Sequence, residues 1–424
     1  MRSILAAVSA LSLVTSVTSV AASQGAPADS TDPIRQMVAR LDLDRYKATI
    51  RGLTRFGDRR QGTDRNALAV DWIEEQLKSY GCTNTERIRY EYRPVPTANR
   101  AGAAGRGGAA DTGAARLGGG APQQAAARGG GAGRGTQGQG GSRIRGVRAR
   151  TGVNSDSLAQ PDTALRRLNS QPTTPGMREE VFCTKVGRTR PDEMYIVGGH
   201  MDGHGWGEAA NDDGSGTAIV MELARVFSSP DVETERSIRF ALWNNEETGL
   251  NGARAYVAQR EALQGREDPP GSGRFPEPKW LGMIQHDMML FDHGMPRADG
   301  TLSPEQRAEA DVNIEFQINS RMADQSMKLA FVFHQANNRY ATDYPATVGP
   351  HMTNTDSGPF QDIIPSISLR ENERGAQIGA GWDPHWHQPT DRYSTFSDKD
   401  FRLGLNAAQT TLAALGQLAG AKVR

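Results

Sequence analysis

Residues able to do metal or acid–base chemistry fall in four short stretches of the chain. They are Gly199-His200-Met201-Asp202, with Asn211-Asp212-Asp213-Gly214-Ser215-Gly216 close behind it; Asn244-Asn245-Glu246-Glu247; Gln285-His286-Asp287; and Trp382-Asp383-Pro384-His385-Trp386-His387-Gln388-Pro389-Thr390-Asp391. Taken singly, each has an ordinary reading. A loop histidine usually makes a hydrogen bond, adjacent glutamates usually lie on a solvated face, Asp-Asp-Gly usually turns the chain, and an Asp after a strand usually caps a helix. Their joint occurrence is different, because carboxylates gathered in a folded core repel one another and need a compensating cation. Two imidazoles and three carboxylates suit a pair of zinc-class ions bridged by one carboxylate, with room left for water. Such a pair polarises a carbonyl and acidifies a bound water, and a further carboxylate that is not a ligand is then needed as general base. The first of the two neighbouring glutamates, Glu246, can fill that position.

The elements that must carry these groups are legible around them. Met194–Gly198, Ser237–Trp243 and Trp280–Ile284 are short apolar runs separated by helical stretches over Ser215–Ser228 and Asn251–Arg260. This β-α-β-α-β alternation predicts an α/β fold with a mixed, mainly parallel central sheet covered by helices on both faces. The polar stretches follow the strands, where open parallel sheets gather functional groups. Upstream, a helical pattern runs from Asp32 to Phe56, and Asp64–Tyr80 reads as a helix with Thr63 as N-cap and Gly81 past its end. Arg87–Tyr92 alternates as a half-exposed strand, and Val312–Ile318 and Ile363–Leu369 read as later strands. Asp398–Leu418 reads as an amphipathic helix with a capping box formed by Ser397 and Asp400.

Composition bounds the rest. In 424 residues, 49 Lys+Arg balance 49 Asp+Glu, so no overall field draws the chain to nucleic acid. Two cysteines are too few for a disulfide scaffold or a Cys-rich zinc module. Residues 1–23, with Arg2 before an apolar stretch and small residues at Ala21–Ser23, have the form of a cleaved signal peptide, and imply a secreted or periplasmic protein without stable membrane insertion. Residues 101–150 hold 17 of the 48 glycines, eight arginines and no aromatic residue. They cannot bury enough apolar surface to offset their ordering entropy. The expected organisation is therefore a signal peptide at 1–23, an N-terminal part of one α/β domain at 24–96, a disordered Gly/Ala/Arg-rich insertion at 97–176, and the remainder of the domain at 177–424. Cys82 and Cys183 flank that insertion, and in an oxidising compartment a disulfide is the favoured reading over two buried thiols.

In this order the residues Gly199-His200-Met201-Asp202, Asn211–Gly216, Glu246-Glu247-Thr248-Gly249, Asp287 and His387-Gln388-Pro389-Thr390-Asp391 resemble the secreted di-zinc exopeptidase family of the bacterial leucyl aminopeptidase and plasma glutamate carboxypeptidase type. Arg60-Gln61-Gly62-Thr63, Thr355–Phe360 and Ile364-Pro365 resemble further segments of that family, and the likeness covers residues 57–418 outside the insertion. The resemblance implies two zinc ions per chain. His200 and Asp287 would hold one, Glu247 and His387 the other, and Asp212 would bridge them. Glu246 would move the proton for a metal-bridged hydroxide, Asp202 would orient the His200 imidazole, and spacing suggests that Asp391 does the same for His387. Cobalt or manganese would suit similar donors. Two positions depart from the pattern: Trp386 stands where the aminopeptidases often have Tyr, and Ser357 where the family often has His. His204, His286, His293, His351 and His385 fall outside the implied set and read as structural, with His204 and His385 nearest the pocket. The implied activity is that of an aminopeptidase acting on peptides. The alternatives are a carboxypeptidase, dipeptidase or glutaminyl cyclase of the same fold, and, in a different class, a catalytically dead binding protein. Cyclases of this fold use one zinc, and a dead site would lack ligands, whereas here the implied set is complete.

Overall fold

A computed structural model describes residues 31–82, 84–93, 153–292, 312–350, 355–371 and 383–424. The expected signal peptide at 1–23 and the stretch 97–152 of the expected insertion lie outside the described residues. The N-terminal helical pattern is two helices, α1 (Pro33–Val38) and α2 (Leu43–Thr54), because Asp42 leaves helical geometry and caps the second by accepting from the Arg45 amide. Helix α3 (Asp64–Ser79) starts at the expected cap, where the Thr63 hydroxyl accepts from the Asn66 amide, and buries Ala69, Val70, Ile73 and Leu77. It leads through Cys82 into strand β1 (Glu86–Tyr92), which pairs antiparallel with β2 (Gly176–Lys185). Cys82 and Cys183 form a disulfide across a sequence separation of 101.

Residues 153–176 correct the expectation that disorder extends to residue 176. They include helix α4 (Thr163–Asn169), capped by the Asp162 carboxylate, with Leu165 and Asn169 buried. The Asn169 amide donates to the Gly207 carbonyl at 2.7 Å, and the Gln160 amide donates to the Trp206 and Pro389 carbonyls. The anchors are buried amides rather than apolar side chains, so a composition argument based on apolar content could not register them.

The remaining elements alternate as expected: β3 (Arg190–His200), α5 (Gly214–Phe227), β4 (Val232–Glu233), β5 (Arg236–Trp243), α6 (Asn251–Arg260), β6 (Lys279–His286), β7 (Val312–Glu315), α7 (Ala323–Tyr340), β8 (Ala346–Gly349), β9 (Ser366–Arg370), α8 (Asp398–Ala419) and β10 (Lys422–Val423). Eight strands form one mixed sheet in the order β1-β2-β5-β3-β6-β9-β7-β8, and β5, β3, β6 and β9 run parallel at its centre. Alternate side chains of these strands enter opposite layers, as strand geometry requires. Val197, Ile238, Phe240, Leu242 and Ile284 face a large core with α2, α5, α7 and α8. Ile196, Ala241, Trp243 and Met283 face a smaller one with α6 and Phe360. Helix α8 carries the expected capping box of Ser397 and Asp400. No helix among the described residues is long and apolar enough to cross a membrane.

The chain winds from β3 to β5 on one side and then crosses to β6 on the other. The carboxyl end of β3 is therefore the point at which winding reverses, where clefts open in such sheets. Gly199 brings this strand end against α5, since a Cβ there would lie 2.7 Å from the Gly216 carbonyl carbon and 2.8 Å from the Thr217 nitrogen.

Candidate metal centre

The expected donors surround this point, His387 from a turn and the others from strand or helix ends. His200 is the last residue of β3, Glu246 and Glu247 follow β5, Asp287 follows β6, Asp212 precedes α5, and His387 precedes α8. The ends are tied together by Asp213, the N-cap of α5. Its carboxylate accepts from the backbone amides of Gly216 at 2.9 Å, His200 at 3.0 Å and Met288 at 3.1 Å, which joins α5, β3 and the segment after β6. With Asp213 so engaged, Asp212 is left to face the cleft.

Asp212 stands between the two histidines. One carboxylate oxygen lies 3.2 Å from His200 Nε2 and the other 3.0 Å from His387 Nε2. His387 Nε2 is also 2.9 Å from Glu247 Oε2. Two groups of possible ligands result: His200, Asp212 and Asp287; and His204, Glu247 and His387, the donor atoms of each group lying within 4.8 Å of one another. Ligands held about 2.0–2.1 Å from a tetrahedral ion are about 3.3 Å apart, so the observed spacings fit a shared cation. His200 Nε2, Asp212 Oδ2 and Glu247 Oε1 are buried without a hydrogen-bond partner, which no folded site tolerates cheaply unless something else occupies those lone pairs.

The electrostatics agree. Burial pulls His387 down, yet Glu247 and Asp212 hold it at about 10, and Glu246 and Asp212 likewise raise His200 against its burial. Burial pushes Asp212 upward, but both imidazoles hold it below the usual carboxylate range. Burial raises Glu246, Asp213 and Asp356 well above that range, and pushes Asp202 up to about 6. Too many acids share the space, and the imidazoles respond by holding protons that a bound cation would displace.

Several roles differ from expectation. His200 Nδ1 meets the backbone carbonyl of Asp202 at 3.0 Å, while the nearer Asp202 carboxylate oxygen is 3.9 Å away and accepts instead from the Glu246 amide at 3.0 Å. The Asp202 carboxylate thus positions Glu246 rather than His200. Asp391 does not orient His387 either. Its two oxygens accept from the backbone amides of Asn211 at 2.8 Å and Asp212 at 3.1 Å, because the loop before α5 passes directly over it. In the N-terminal segment the buried Arg59 guanidinium donates to the Met201 and Ala209 carbonyls at 2.7 Å, and Arg60 pairs with Asp58.

Sequence reasoning also missed two contacts. The buried Arg370 guanidinium, at the end of β9, donates to Asp287 Oδ2 at 2.7 Å. His204, read as structural, brings Nε2 to 2.9 Å from Glu247 Oε2 and packs edge-on against the His387 ring at 4.1 Å. The repeat of His after Gly203 was the available signal. Trp386 stacks on His387 with ring centroids 4.0 Å apart, Ser357 Oγ lies 2.9 Å from Ser368 Oγ, and His385 Nδ1 lies 2.9 Å from the Thr390 hydroxyl. His293 and His351 lie outside the described residues.

A family model described as Peptidase family M28 matches residues 181–408, more than half of the chain. The chain is similar to Aminopeptidase YwaD of Bacillus subtilis (strain 168), 42% identical over 67 residues that make up 16% of this chain and 14% of that protein. It is also similar to Carboxypeptidase Q of Xenopus laevis, 37% identical over 71 residues, 17% of this chain and 15% of that protein. The matched stretches thus span under a fifth of these relatives' length. Among solved structures, the aminopeptidase from Aneurinibacillus sp. strain AM-1 shares the fold with a TM-score of 0.55 at 19% identity, over 92% of this chain and 97% of that one.

Proposed function

The chain belongs to peptidase family M28, and we propose that it is a secreted metallo-exopeptidase, an aminopeptidase that removes N-terminal residues from peptides with two divalent cations, zinc by donor type. The observation that carries this reading is Asp212, whose two oxygens face His200 on one side and His387 on the other. A carboxylate so placed suits a bridge between two cations. The leader-like composition of residues 1–23 supports export.

A bound pair of cations would supply Lewis-acid polarisation of the scissile carbonyl and a water acidic enough to ionise near neutral pH. The protein's part is proton transfer and positioning. Glu246 takes a proton from the attacking water as the new C–O bond forms, and returns it to the amine nitrogen as the C–N bond breaks. Asp202, through the Glu246 amide, holds that residue at the end of β5.

Removal of residues from the amino end is the specific activity proposed. Asp202, Asp212, Glu246, Glu247, Asp287 and Asp356 influence one another electrostatically. The likeness to Aminopeptidase YwaD supports the amino end, and the likeness to Carboxypeptidase Q makes carboxypeptidase the alternative. The test is a mass-spectrometric time course on one peptide and on its N-acetylated and C-amidated forms. Shortening from the amino end, blocked only by N-acetylation, is expected, and shortening from the carboxyl end overturns the assignment. Glu246→Ala should keep about two cations per chain by elemental analysis while kcat falls by at least about 100-fold. Undiminished activity in that variant removes Glu246 from the mechanism.

A further inference from the structure

The two cation positions implied by this site are unequal, and the difference lies in His204. This residue sits in the loop that leaves β3, on the sequence Asp202-Gly203-His204-Gly205. Its ring packs edge-on against His387 at 4.1 Å, with an interplanar angle of 89°. Its Nε2 lies 2.9 Å from Glu247 Oε2, the same oxygen that is 2.9 Å from His387 Nε2. Despite that approach no aligned hydrogen bond is made by His204 Nε2, and the atom is buried. His200 Nε2 shows the same combination, 3.2 Å from Asp212 Oδ1 and without a hydrogen bond. Nitrogens that crowd carboxylate oxygens without lining up as donors are disposed as ligands around a common centre.

Resting on the two-cation reading of the site, we propose that His204 is a third terminal ligand on the Glu247 side. That position then has four protein donors: His204, Glu247, His387 and the facing oxygen of Asp212. Four donors complete a tetrahedral shell, the mark of a site that holds its ion tightly. The other position has only His200, Asp287 and the second Asp212 oxygen. Arg370 occupies Asp287 Oδ2, so Asp287 offers that ion a single oxygen. Three donors leave a place for water or substrate, as catalytic sites do. The Glu247-side ion is the tightly held anchor, and the His200-side ion is the open one.

The experiment is titration of metal-depleted protein with Co2+, followed by calorimetry and by visible absorption. The wild type is expected to bind two ions in two resolved steps, the tighter giving the intense absorption of a four-coordinate centre. His204→Ala and His204→Gln should weaken that step by at least about 100-fold, more than loss of an outer hydrogen-bonding partner costs. Glutamine can hydrogen-bond Glu247 but ligates poorly, so a Gln variant that keeps the tight step overturns the proposal and leaves the two-cation site standing. Wild-type protein that takes up one ion or none removes the two-cation site and the proposal with it.

Discussion

Gly205 joins the two loops that carry His204 and His387, and replacing it tests how closely the site depends on their contact. Its φ is +99°, and a Cβ placed on it would lie 2.4 Å from both the carbonyl carbon and the carbonyl oxygen of His387. Ordinary contact begins at 3.4 Å, so in Gly205→Ala the two backbones must part by about 1 Å. An L-residue at positive φ adds about 1–2 kcal/mol of strain, and forced overpacking about 1–3 kcal/mol. Metal–ligand distances tolerate only about ±0.2 Å. A 1 Å retreat therefore removes His387 from the shared ion, and misplacement of that size costs about 100-fold in rate. Gly205→Ala is expected to fold with a lowered denaturation midpoint, to lose about one of two cations by elemental analysis, and to lose about 100-fold in kcat/KM on an aminoacyl anilide. Gly265→Ala is the control. Its φ of +67° carries similar strain, but nothing lies within 4 Å of the added Cβ, so stability should fall with no change in metal content. A Gly205→Ala protein with two tightly held cations and near-wild-type kcat/KM would refute the reasoning.

Two further predictions concern stability. Cys82 and Cys183 are joined across 101 residues, so reduction, or Cys82→Ser with Cys183→Ser, should cost about 4–5 kcal/mol in chemical denaturation by loop-closure entropy; superimposable curves with and without reductant would contradict it. Burial lowers the His286 imidazole from the usual 6.5 to about 3. The unfolded chain then binds a proton that the folded chain refuses, so stability present above pH 6.5 is lost as pH falls toward 3, by about 4–5 kcal/mol in full. His286→Asn should remove that part of the slope, and identical pH profiles of wild type and variant would show that another group carries it.

Much of the frame is legible because helix and strand signals are local. The apolar runs at Met194–Gly198 and Ser237–Trp243, the cap at Thr63 and the capping box of Ser397 and Asp400 each depend on residues a few positions apart. Helix α7 escaped because its buried Leu329, Ala330 and Phe333 are interleaved with His334, Gln335, Asn337 and Asn338, which blur the apolar stripe. Residues 153–176 escaped because amide side chains anchor them.

The donor types are a matter of local chemistry. Histidines and acids placed after apolar strands carry the expectation of a cation site and of hydrolysis before any contact is known. Partnership is not local. That Asp202 serves Glu246, that Asp391 holds the Asp212 loop, that Arg370 claims one oxygen of Asp287 and that His204 meets Glu247 all depend on the order β5-β3-β6-β9 and on the loop over α5. These pairs join residues 44, 179, 83 and 43 positions apart. No pattern along the chain spans such distances, because the strand order that closes them is chosen by burial of both sheet faces at once.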